Sequence, residues 1–284
     1  MGGLTRAAID AQPDWLRRVP TDRRLPPGRA VFTGCGTSFH AAQTGGDAFQ
    51  ALELVLEPVE ADVLVLVSHE GTTPLTLEAA EQFPGPKWCV TGAPESPIAS
   101  LCDEVVVATP ELEESYCHTV SYTCAVAAIA AARGEDVASL PDAVAQALRD
   151  PFPVTEHERW LVAAGGRDWP TAQEAVLKLR EAAFVAAEAH HAEQLLHGDL
   201  AAVDETVRAF VLEGEGRAAQ RARDAVAALG ILGCDVTLVP TVHPVVDIVR
   251  FQLLAVDLAD ARGVDPDLIR RDDERWARAR DAYR

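Results

Sequence analysis

Continuous apolar runs punctuated by glycine turns dominate the first half of the chain. Val31-Phe32-Thr33 runs into Gly34-Cys35-Gly36, and Val63 to Val67 runs unbroken into Ser68-His69-Glu70-Gly71. Such runs predict strands buried on both faces, at 30–33, 63–67, 88–91 and 104–108. Helical patterning between them predicts helices over 38–52, 74–82, 98–102 and 119–133, with a short apolar piece at 54–56 as an edge strand. A further helix over 137–148 leads to Asp150-Pro151-Phe152-Pro153, the best break in the chain. The pattern then repeats. Strands are expected at 160–164, 207–212 and 235–239, and helices at 169–189, 217–229 and 245–261. Strand-helix alternation with continuous apolar strands implies α/β architecture, with parallel sheets covered by helices on both faces. An opening helix to about residue 19 and a Pro/Arg-rich linker to 29 precede the first strand. The expected division is therefore 1–29, 30–152 and 153–284. The charge-dense segment after Arg270 reads as a solvated helix.

The stretch from Glu174 to Asp204 carries the most suggestive chemistry. On its helix Lys178 and Glu181 sit three apart and share a face. A cation beside a carboxylate keeps it ionised, as a general base must be. Beyond it, His197-Gly198-Asp199 marks a turn, and a histidine there can exchange protons near neutral pH. Taken alone, the segment reads first as a surface helix with an ion pair and a capping histidine, since helix surfaces carry such pairs routinely.

The segments together resemble the sugar isomerase (SIS) domains that form the isomerase half of glutamine:fructose-6-phosphate aminotransferases. That family's motifs run roughly CGTS, SQSGET, ALKLKE and ELKHGPLALID. Here they stand, in the same order, at 35–38, 68–73, 176–181 and 194–204. The opening 8–18 segment is similar to the family's leading helix, and 251–254 and 263–267 to its last helix and tail. The resemblance implies two SIS domains, each a parallel sheet in a flavodoxin-like three-layer sandwich. It carries over Thr37, Ser38, Ser68, His69 and Thr73 as phosphate or sugar contacts. Glu70 in the second loop and His118 in the family's STK segment are counted with them as substrate-binding candidates. It also implies Glu181 as the base moving a proton between C1 and C2, Lys178 as its neighbour, and His197 as the ring-opening group. In the family that histidine comes from the neighbouring subunit, so a homodimer with a shared site is expected.

Several positions depart from the pattern. Glu70 replaces a serine of the phosphate loop. A carboxylate about 5 Å from a phosphate dianion costs roughly several kcal/mol even at an effective dielectric of about 20. The family's STK segment is His118-Thr119-Val120, and Glu274 stands where a tail lysine handles the sugar carbonyl. No lysine follows Lys178, which excludes a tail Schiff base. No glutaminase segment precedes the SIS-like region, and residue 2 is Gly2, so glutamine-dependent amination is not expected without a separate glutaminase partner.

Composition narrows the function classes. A net charge of −19 argues against nucleic acid, which needs a basic footprint. The only lysines are Lys87 and Lys178, so phosphate recognition must lean on backbone amides, hydroxyls or arginines. The longest apolar stretch, near 125–132, is too short to span a bilayer. The chain opens without a secretory pattern, and its 6 cysteines include no C-x-x-C pair, as in a cytoplasmic protein with reduced thiols. His190, His191, Glu193 and His197 crowd one region, but their spacing matches no zinc motif. Neither a metal nor another cofactor is expected.

The expected function is a phosphosugar isomerase, or a deaminase or deglycase, acting on a hexose or amino-sugar phosphate by aldose–ketose proton transfer. The alternative is a non-catalytic phosphosugar-binding or regulatory protein that kept the fold, which Glu70 and Val120 would favour.

Overall fold

A computed structural model describes residues 2–283. Helix α1 (Gly3–Leu16) leads into the first sheet, built from β1 (Ala30–Gly34), β2 (Ala48–Gln50), β3 (Val63–Val67), β4 (Lys87–Thr91) and β5 (Glu104–Val107). Its strand order is β2-β1-β3-β4-β5, and every pairing is parallel. Helices α2 (Thr37–Gln43), α3 (Ala51–Leu56), α4 (Pro74–Gln82), α5 (Val120–Ala132) and α6 (Leu140–Ala147) belong to this half.

The second half starts with β6 (Arg159–Ala164), α7 (Trp169–Ala183), β7 (Ala186–His191) and α8 (Ala192–His197). It continues through β8 (Val207–Leu212), α9 (Arg217–Ile231) and β9 (Asp235–Val239) to α10 (Pro244–Asp247), α11 (Val249–Arg262) and α12 (Glu274–Asp281). Its sheet, β7-β6-β8-β9, is also all parallel and repeats the order of the first. The expected α/β class with parallel sheets flanked by helices is what the structure has.

One apolar cluster joins the two halves. It runs from Ile9 of α1 through Phe32, Val65 and α5 to Leu179 of α7 and Phe251 of α11. Every residue of α5 is buried, which explains why that helix reads as apolar all round instead of striped. Helix α7 packs on α11 and also on α2, so the base of the first sheet's opening loop meets the second half directly. No helix among the described residues is long and apolar enough to cross a membrane.

Two predicted helices are interrupted. The 38–52 helix ends at Gln43, and an edge strand follows at Ala48–Gln50. The cause is Gly45-Gly46: a Cβ at Gly45 would lie 2.5 Å from the Phe32 ring, and Gly46 has φ of 122°. The apolar piece expected as the edge strand, 54–56, is instead the end of α3. The 169–189 helix ends at Ala183, where Phe184 turns left-handed (φ 55°) and Arg262 Nε donates to the Ala183 carbonyl at 2.9 Å. The following Ala186–His191 reads as helix by propensity, yet pairs with β6 along six positions, Arg159↔Ala186 to Ala164↔His191. Tertiary pairing overrides propensity here.

Candidate functional site

The β1 and β3 turns leave the first sheet side by side, on either side of the point where strand order reverses. In open parallel sheets such crevices, beyond the carboxyl ends of the strands, hold ligands. Both exits require glycine for close approach. A Cβ on Gly34 would sit 2.8 Å from the Ser38 backbone, and one on Gly71, at φ 65°, would overlap the Ser96 hydroxyl.

A cavity of ≈ 280 Å³ opens there. It is lined by Thr37, Ser38, Ser68, His69, Glu70, Thr73, His118 and Glu181, so eight of the sequence-derived candidates converge on one space. Ser68 and Thr73 hydroxyls lie 3.3 Å apart at the start of α4, whose first helical residue is Pro74. That places hydroxyl donors beside the amide-bearing end of a helix, an arrangement suited to an anion. Glu70 is exposed at the cavity wall, and no hydrogen bond or ion pair among the described residues holds it.

Glu181 reaches the cavity from α7, its side chain 24% exposed. Lys178 does not line the cavity. It lies behind Glu181, fully buried, with Nζ 2.6 Å from Glu181 Oε2, 3.3 Å from Glu174 Oε1 and 3.1 Å from Thr37 Oγ1. It also donates to the carbonyls of Cys117 and His118. Burial opposes the ammonium charge, but Glu174 and Glu181 outweigh it and raise the Lys178 pKa above its usual value. Burial raises the Glu181 pKa above the ordinary carboxylate value, and Lys178 only partly offsets this. A base lifted toward neutrality is better matched to proton abstraction.

Glu174 was not among the sequence-derived candidates. It is fully buried and completes the network, accepting from Thr37 Oγ1 at 3.2 Å and meeting His40 Nδ1 at 2.7 Å. Burial works against its charge, yet Lys178 and His40 together hold its pKa below the usual value. Its position four residues before Lys178 was the available signal.

On the facing wall, Glu113 organises the loop before α5. Its carboxylate accepts from the amide and hydroxyl of Thr119 (2.7 and 2.9 Å) and of Ser121 (2.9 and 2.6 Å). Thr119 is thereby turned to Glu113, while Ser121 joins the cavity lining. The Glu113 amide donates to His69 Nε2 at 2.9 Å, which puts the ring proton of neutral His69 on Nδ1. Burial lowers the His69 pKa to about 4, helped by His118, whose ring stands edge-on at 5.4 Å. His118 is also lowered, chiefly by burial. Its backbone is left-handed, with φ of 42°, at the point where its carbonyl meets Lys178.

The C-terminal tail closes the cavity with Ile269 and Arg271. Glu274, expected at the position of a tail lysine, lies outside the lining, exposed on α12. Sequence reasoning missed Arg271 because it searched the tail for lysine.

His197 stands apart. It ends α8, is 73% exposed, pairs with Glu193 at 2.7 Å and does not line this cavity. The other histidines of that region are individually held: His190 between Asp199 (2.7 Å) and Glu188 (3.3 Å), and His191 stacked on Trp169 at 3.7 Å. Among the described residues no group of three or more His, Cys, Asp or Glu is arranged to hold a metal ion.

No family model matches the chain. A glutamine–fructose-6-phosphate aminotransferase (isomerizing) of Rhizobium leguminosarum bv. viciae is 26% identical across 84% of this chain and 50% of that protein. The chain is a homologue of the isomerase region of these aminotransferases. It spans about half the length of the relatives it matches. Among solved structures, the C-terminal domain of the Francisella tularensis glucosamine–fructose-6-phosphate aminotransferase superposes with a TM-score of 0.79 at 19% identity, covering 94% of this chain and 98% of that one. Glucosamine-6-phosphate deaminase from Thermotoga maritima gives 0.75 at 19% identity, with 94% and 97% covered. At such identities the structures establish a shared fold.

Proposed function

We propose that the protein is a phosphosugar enzyme that moves a proton between adjacent carbons of a hexose or amino-sugar phosphate, as an isomerase or as a deaminase or deglycase. One observation carries the reading: Glu181 opens onto a cavity walled by hydroxyls, while its other side is fixed to a fully buried lysine. The phosphate would sit on Ser38, Ser68 and Thr73, with Thr37 and His69 orienting the sugar. Glu181 would remove the proton beside the carbonyl and return it to the neighbouring carbon. Lys178, backed by Glu174, keeps that carboxylate ionised and fixed in direction. The homologous aminotransferase region and the deaminase fold support this class of chemistry.

We also propose that His197 acts on the partner's site in a homodimer. Its exposure and its absence from the lining of its own cavity support that role, and ring opening would then need the second subunit. We retain a division into two SIS domains near Asp150–Pro153, supported by the repeated strand order. A cytoplasmic setting is supported by the six free thiols.

The test is turnover of a panel of hexose and amino-hexose 6-phosphates, following ketose formation and ammonia release. Turnover without ammonia identifies an isomerase, and ammonia release identifies deamination. Tight binding without turnover of any member would support a regulatory binding protein instead.

A further inference from the structure

Among the described residues that line the cavity, Arg271 is the one permanent cation, since Lys178 lies behind the wall. Burial keeps His69 and His118 neutral, whereas Glu70 and Glu181 are both carboxylates. A reaction that develops negative charge in this space therefore has a single full positive charge available from the lining.

Arg271 lines the cavity from the C-terminal tail, beside Ile269. Its guanidinium stacks 3.9 Å from the Tyr116 ring centroid, and Tyr116 adjoins the Cys117 carbonyl that receives Lys178, the partner of Glu181. The preceding residue, Arg270, stacks on Phe184 (4.1 Å), three residues past Glu181, and on Trp276 (4.2 Å). Ile269 and Glu181 border the same cavity and also share a second depression, lined by Arg270 and Phe184 as well. Ile269 and Arg270 are both left-handed, with φ of 43° and 60°, in a chain where few non-glycine residues are. Strained backbone of this kind persists only where surrounding contacts hold it, and it immediately precedes Arg271 in the cavity lining.

We infer that Arg271 is a further catalytic residue, meeting the oxygen of the reacting carbonyl as negative charge develops there. The inference rests on the proton-transfer reading above. When Glu181 takes the proton, the C–H pair becomes the new C–C π bond and the carbonyl π pair moves onto oxygen. The guanidinium hydrogen-bonds that oxyanion. The proton of the adjacent hydroxyl then passes to that oxyanion, and the O–H pair it leaves forms the new carbonyl. The enediol π pair takes the proton back from Glu181 at the former carbonyl carbon, so no electrons enter or leave. A guanidinium stays protonated throughout and offers charge and donors without forming an imine.

Two open-chain ligands with the same phosphate separate this role from phosphate binding. 6-Phosphogluconate carries a carboxylate at C1, and glucitol 6-phosphate carries a hydroxyl there. Titration calorimetry on the intact protein and on Arg271→Met should show roughly a 10- to 100-fold loss of affinity for the first and less than about threefold for the second. Arg271→Lys, which keeps the charge, should retain part of the preference and serves as the deciding variant if Arg271→Met does not fold. Equal losses for both ligands would place Arg271 on the phosphate and overturn the inference, as would no loss for either. Failure of the unsubstituted protein to bind either ligand would instead overturn the phosphosugar reading, and this inference with it.

Discussion

Lys178 and Glu181 form an ion pair at 2.6 Å in which the ammonium is fully buried and the carboxylate is 24% exposed. The asymmetry separates their roles. Lys178 is sequestered among Glu174, Thr37 and two carbonyls, so only the carboxylate can reach a ligand. Removing one partner from a buried ion network leaves uncompensated charge.

Lys178→Met is expected to lower stability by roughly 3–5 kcal/mol, because Glu174 remains buried opposite a neutral side chain. Lys178→Met with Glu174→Gln should recover a large part of that loss without restoring activity. Chemical denaturation of both variants checks this. A double variant as unstable as the single one would show that Lys178 contributes through packing rather than charge.

Asp247 gives the stability a pH dependence. It is 7% exposed, and burial raises its pKa to about 7 despite the Val242 amide donating to it. A folded-state value above the unfolded one means that its stabilising contribution is present below about pH 4 and is lost as pH rises through 7. Asp247→Asn should therefore stabilise the protein at pH 8, by on the order of 2–3 kcal/mol, and have little effect at pH 4. Thermal unfolding at the two pH values decides it, and a gain of equal size at both would contradict the assignment.

Glu70 is exposed at the wall that the phosphate loop contributes. A hydroxyl there can donate to phosphate, whereas an ionised carboxylate can only accept. Glu70→Ser should strengthen glucose 6-phosphate binding by about 2- to 10-fold, a modest effect because solvent screens the carboxylate. A selective loss for glucosamine 6-phosphate would mean that Glu70 holds an ammonium. Identical affinities in both proteins would place it outside the ligand's reach.

The strands and glycine turns that build the crevice were legible because β1 and β3 are continuous apolar runs ending in glycine. Thr37, Ser38, Ser68, His69, Glu70 and Thr73 lie in or beside those turns and Glu181 on one helix face, whereas His118, in the loop before α5, was reached only through the family resemblance of the 118–120 segment. Glu174 and Glu113 were not legible. Each acts through partners far along the chain or through several backbone amides, and nothing local marks a carboxylate that will be buried. β7 was hidden because Ala186, Ala187, Glu188 and Ala189 favour helix, while its pairing with β6 is a long-range fact. Arg271 depends on two left-handed residues that no propensity predicts.

The shared-site proposal has a direct complementation test. Glu181→Gln and His197→Ala proteins should each be inactive alone and regain activity when mixed, through hybrid dimers carrying one intact site. No recovery after demonstrated subunit exchange would mean that His197 does not serve a partner's site.

In the proposed reaction Glu181 carries the proton. Exchange of substrate hydrogen in deuterated water reads this step without requiring the product to be known. With a bound hexose or amino-hexose 6-phosphate, the unsubstituted protein should incorporate deuterium at the carbon beside the carbonyl. Folded Glu181→Gln should do so roughly 10² to 10⁴ times more slowly, with ligand affinity changed less than about threefold. Undiminished exchange in that variant would mean that a group other than Glu181 moves the proton.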